Sequence, residues 1–126
     1  MMIGMASKNG KFKKKIIAVV KTKFGSRFNI EEKPFAKVSP NIILSDKVYN
    51  DPIFDMFILE PKEDIVEKLK DWKPYINKSS EKHYILVSDK NVDQVSKMIK
   101  LVSEDIAIAI YKKDSKSGKI TEVIYG

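Results

Sequence analysis

The stretch from Ile53 to Lys62 constrains the fold more than any other part of the chain. Side chains alternate across a strand, and Phe54, Phe57, Ile58 and Leu59 put apolar groups on both faces of this one. A strand apolar on both faces is a central strand covered on both sides. The segment predicts a strand over 53–62, inside a sheet with helices above and below it.

The rest of the chain supplies suitable partners. Phe12, Ile16, Val19 and Val20 recur at helical spacing within 11–24, with Gly25 as the stop, although the β-branched run 16–20 also fits a buried strand. Residues 28–35 read as a first strand cut by Pro34, and 41–44 as a second. A polar turn over 46–51 joins the second strand to the central one. Ile65, Val66, Leu69 and Trp72 mark a helix over 63–72 that Pro74 should end. Residues 84–87 form a buried strand, and Asn91 caps a helix striped by Val92, Val95, Ile99 and Val102. Strands over 106–111 and 119–125 form a hairpin around Gly118. The order α-β-β-β-α-β-α-β-β predicts an α/β domain with a mixed central sheet flanked by helices.

With 126 residues the chain has the length of one domain. Residues 1–10 read as a flexible lead-in, without the long apolar segment of a secretion signal, and 11–126 as the domain. No apolar run approaches the roughly 20 residues of a membrane span, so no membrane partner is expected. The absence of cysteine excludes disulfides and thiolate metal sites and is compatible with a reducing, cytoplasmic setting. One histidine and no cysteine make a zinc site untenable.

The net charge of +7 is unevenly placed. Residues 1–40 carry ten Lys or Arg against Glu31 and Glu32, a net of +8; residues 41–126 carry fourteen against fifteen, a net of −1. Lys11, Lys13, Lys14 and Lys15 are the densest group and the candidate phosphate contacts. Arg27 is the sole arginine. Lysine is a point charge suited to phosphates, whereas base edges favour the arginine fork, so backbone contact is expected over sequence reading. The plainer alternative is a solvated, solubilising face.

Glu60 and Lys62 stand two apart at the end of the central strand, which puts both on one face. By themselves they fit a surface ion pair. With Pro40-Asn41-Ile42-Ile43-Leu44 on the preceding strand, a helix after them and Tyr84-Ile85-Leu86-Val87 beyond, the arrangement resembles the PD-(D/E)XK, or restriction-endonuclease-like, nuclease superfamily. The resemblance covers roughly residues 11–125 and rests more on the order of elements than on its short motifs.

The resemblance implies a restriction-endonuclease-like core and a Mg²⁺- or Mn²⁺-dependent deoxyribonuclease. Glu60, Asn41 and the Pro61 carbonyl would hold the cation, and Lys62 would be the catalytic lysine. It also implies a homodimer that addresses two strands. Asn41 departs from the pattern, because it stands where the family has an aspartate. An amide oxygen coordinates a cation but brings no charge, which weakens such a site. Asp55 is no substitute, since five residues along a strand place it on the face opposite Glu60. Three readings stand open: a metal-dependent endonuclease, an inactive nuclease-fold protein that binds DNA and needs no cofactor, and a small α/β protein-interaction module.

Overall fold

The computed structural model describes residues 2–102, 106–113, 116 and 120–125. The nine elements follow the expected order: α1 (Met2–Phe24), β1 (Phe28–Glu32), β2 (Ile42–Asp46), β3 (Pro52–Ile58), α2 (Ile65–Lys78), β4 (Lys82–Ser88), α3 (Val92–Val102), β5 (Ile106–Lys113) and β6 (Ile120–Tyr125). The six strands form one sheet in chain order. Strands β1, β2 and β3 are an antiparallel meander, β3, β4 and β5 run parallel, and β6 returns antiparallel to β5. The turn containing Gly118 lies outside the described residues.

Strand β3 is central and covered on both faces, as its sequence requires. Phe54, Met56 and Ile58 pack with Ile42, Leu44, Tyr84, Leu86, Ala109 and Tyr111 against Ile16, Ile17, Val20 and Phe24 of α1. Phe57 and the following Leu59 face the other way, with Ile85, Val87 and Ile106, against Ile65, Leu69, Trp72 and Ile76 of α2 and Val95 and Ile99 of α3. Both parallel crossovers thus place their helices on one face, and α1 covers the other.

Four boundaries differ from the sequence reading. Helix α1 begins at Met2 and so runs through the segment read as a lead-in. Its buried stripe is Ile16, Ile17, Val20 and Phe24, with Phe12 and Val19 only flanking it. Strand β1 ends at Glu32, three residues short of Phe35. Pro74 lies inside α2 rather than ending it. Proline removes one helical hydrogen bond, but Pro74 and Lys70, the carbonyl it leaves without that bond, are both exposed, while Trp72 and Ile76 on either side are buried. Packing therefore carries the helix past the proline. Finally, β3 ends at Ile58, so Glu60 and Lys62 sit in the connection to α2 and the expectation that they share a strand face is overturned.

The cause of that last break is local. Pro61 has no N–H to offer a neighbouring strand. The chain instead closes a turn in which Glu63 N–H donates to the Glu60 carbonyl at 3.0 Å, and Glu60 N–H donates to Glu63 Oε1 at 2.9 Å. Asp64 then caps α2 by accepting from Val66 N–H at 3.0 Å. No helix among the described residues is long and apolar enough to cross a membrane.

Candidate functional site at the strand ends

The antiparallel pairing of Ile42 with Met56 brings the start of β2 to the end of β3, so Asn41 and Glu60 lie at the same end of the sheet. Their side chains engage different partners. Asn41 is 1% exposed and all its polar groups are bonded. Its Oδ1 accepts from Ile58 N–H at 2.9 Å. Its Nδ2 donates to the carbonyls of Lys33 at 2.9 Å and Ala36 at 3.2 Å. Its backbone N–H donates to Met56, and its carbonyl accepts from Lys33. The amide thus ties the connection between β1 and β2 to the last residue of β3. A carboxylate could accept from Ile58 but could not donate to two carbonyls.

Glu60 is drawn toward α1. Lys13 is 6% exposed, and its ammonium lies 3.7 Å from Glu60 Oε2 and 3.8 Å from Glu63 Oε1. Lys68 of α2 completes the group, 3.0 Å from Glu63 Oε2. Burial raises the Glu60 pKa above the usual carboxylate range, and the Lys13 charge opposes that rise. Tyr111 on β5 is fully buried beside this cluster, its ring in edge contact with Phe12 at 5.9 Å. Burial, with the charges of Glu60, Asp89 and Glu63, pushes its hydroxyl well above the normal tyrosine range.

The remaining expected site residues are not drawn into this cluster. Lys62 is exposed and makes no ion pair among the described residues. Pro61 is exposed and borders a cleft of about 160 Å³ between the starts of α2 and α3, with Glu63, Asn91 and Gln94. Of the four candidate phosphate contacts, Lys11, Lys14 and Lys15 are exposed, with Lys14 over the Phe35 ring at 5.2 Å. Lys13 is the correction: it is withdrawn into the protein. Positions 13, 16, 17, 20 and 24 share one face of α1, so a lysine on the apolar stripe was the sequence signal for an internal carboxylate partner.

A second polar pair was not foreseen. Asp55 and His83 are register partners on the parallel strands β3 and β4, and His83 Nδ1 lies 2.7 Å from Asp55 Oδ1. Both are buried, at 1% and 3% exposure, on the face covered by α2. The Phe57 and Tyr75 rings lie 6.1 and 6.0 Å from the imidazole. Burial pushes Asp55 up to about 6, against the opposing effect of His83. His83 Nε2 is buried with no hydrogen-bond partner among the described residues. Asp55 therefore faces away from the Lys13–Glu60 cluster and has its own partner; the spacing argument does not decide this, because β3 ends at Ile58, before Glu60.

Among the described residues, no three His, Asp or Glu side chains converge so as to hold a metal ion. No protein-family model matches the chain, and comparison with curated proteins and with solved structures also finds no match.

Proposed function

We propose that this chain is a cytoplasmic nucleic-acid-binding protein on a nuclease-like core, contacting DNA through phosphates without cutting it. The observation that carries the reading is the outer face of α1. The helix contains seven lysines, at 8, 11, 13, 14, 15, 21 and 23, and no acidic residue. Lys11, Lys14, Lys15 and Lys21 are exposed, while Ile16, Ile17, Val20 and Phe24 fix the helix to the sheet. Rigidly mounted lysines without neighbouring carboxylates on their own helix suit a phosphate chain, which they bind by displacing counterions.

The likeness to the PD-(D/E)XK superfamily is supported by the same order of elements, the β1–β2–β3 meander, the parallel crossover to β4, and Asn41 and Glu60 at one end. Cleavage is the part of that likeness the reading sets aside. Asn41 Oδ1 already accepts from Ile58 and the Glu60 carboxylate faces Lys13, so this donor set does not fit a Mg²⁺ or Mn²⁺ ion.

Fluorescence anisotropy with labelled duplex and single-stranded DNA, beside plasmid incubation in Mg²⁺ or Mn²⁺, tests both halves. Binding that weakens with salt and falls on Lys11→Glu/Lys14→Glu/Lys15→Glu is expected, with the plasmid left intact. Absence of salt-sensitive binding would turn the reading toward a protein-interaction module. Nicking abolished by Glu60→Ala would restore the metal-dependent endonuclease.

A further inference from the structure

Lys13 holds a place that its residue type does not favour. It lies on the buried stripe of α1, one turn before Ile16 and Ile17, and is nearly inaccessible. An ammonium is withdrawn from water only where carboxylates compensate it. Here they come from the connection after β3: Glu60 Oε2 at 3.7 Å and Glu63 Oε1 at 3.8 Å. Lys68 on the other Glu63 oxygen, at 3.0 Å, balances the set at two positive and two negative charges. Within the Glu60–Glu63 turn the Glu60 N–H holds Glu63 Oε1 at 2.9 Å, while the Glu60 carboxylate is engaged by Lys13. The Lys13 side chain is 8% exposed and the Glu60 and Glu63 side chains 13% and 19%, so the group is largely withdrawn from solvent.

We propose that the Lys13 ammonium is a built-in counter-ion, occupying the place between Glu60 and Glu63 that a divalent cation would take and closing these carboxylates to metal. The chemistry supports the substitution. Both oxygens point at one cationic centre from separate residues, as ligands of an oxygen-coordinated cation do. Oxygens at 3.7 and 3.8 Å would need to move inward by about 1.3 Å to reach the roughly 2.3–2.6 Å of Ca²⁺ coordination. Removing the ammonium while keeping the stem leaves two carboxylates facing Lys68 alone, a net negative pocket. The proposal does not depend on nucleic-acid binding, and failure of either leaves the other standing.

The test is thermal unfolding of the full chain as wild type, Lys13→Met and Lys13→Met/Glu60→Gln, in EDTA and in millimolar Ca²⁺ or Mn²⁺. Wild type is expected to be indifferent to the cation. Lys13→Met is expected to unfold at a lower temperature in EDTA and to recover on the order of 5 °C when the cation saturates. The double variant should lose that recovery. If Lys13→Met does not fold in EDTA, folding on addition of Ca²⁺ supports the proposal. A single variant that no divalent cation rescues overturns it. So does a wild-type chain stabilised by Ca²⁺ through Glu60, whatever the variants do.

Discussion

Asn41 and Asp55 show opposite ways of placing a polar side chain inside this sheet. Asn41 accepts once and donates twice, and all three partners are backbone groups. Asn41→Asp keeps the shape, but it buries a charge and turns two donated bonds into repulsions between oxygens. Loss of buried bonds with an unpaired charge costs roughly 2–4 kcal/mol. Urea unfolding should show a loss of that order, and the aspartate variant should gain no nuclease activity; unchanged stability would mean that the amide does not hold the β1–β2 connection. Asp55 depends on pH instead. Burial raises its pKa from 3.8 to about 6. The folded state therefore holds a proton that the unfolded chain releases between those values, and stability falls as pH rises through that window. Each unit of displacement corresponds to about 1.4 kcal/mol. Asp55→Asn, which can still bond His83 Nδ1, should flatten the profile between about pH 4 and 6. Equal slopes for wild type and variant would assign the dependence to other groups.

Among the elements, α2 shows where packing overrules local preference. Pro74 signals a helix end, yet α2 continues to Lys78 and closes with Ser79 N–H on the Ile76 carbonyl. Ile76 belongs to the cluster with Phe57 and Ile85, and Trp72 both stacks on Phe57 at 4.9 Å and donates to the Lys37 carbonyl at 3.1 Å. Proline in a helix interior is about 3 kcal/mol less favourable than alanine. Because Pro74 is exposed, Pro74→Ala should restore the missing bond without loss of packing and raise stability by about 1–3 kcal/mol in denaturant titration. A neutral result would show that the helix has already relaxed around the ring. The two-faced pattern of β3, the stripes of α2 and α3 and the order of elements were legible because periodicity depends on near neighbours. The Asp55–His83 pair was not, since it depends on the register of two parallel strands 28 residues apart. The Lys13–Glu60 pair was half legible: the misplaced lysine is visible on the α1 stripe, while its partner depends on where β3 stops.

The whole molecule separates its charges by depth as well as by sequence. The excess of +8 in residues 1–40 is carried mainly on α1, whose described buried stripe joins Lys13 to Ile16, Ile17, Val20 and Phe24. Lys13 is neutralised internally, so the charge offered to a partner comes from exposed residues, among them Lys11, Lys14, Lys15 and Lys21. Lys21 is partly offset by Glu32 at 2.8 Å, which leaves the first three as the stronger contacts. A helix of lysines against a duplex gives a binding energy set by counterion release, with a logarithmic salt slope of about 0.9 per phosphate neutralised. Each of Lys11→Gln, Lys14→Gln and Lys15→Gln should therefore lower the slope by up to about 0.9, whereas Lys13→Gln should leave it nearly unchanged and lower stability instead. The losses should be uniform across duplexes of different sequence, because lysine contacts to phosphate carry no base information. A slope that responds to Lys13 as much as to Lys14 would place the buried ammonium at the nucleic-acid surface and undo the division between outer and inner faces of α1.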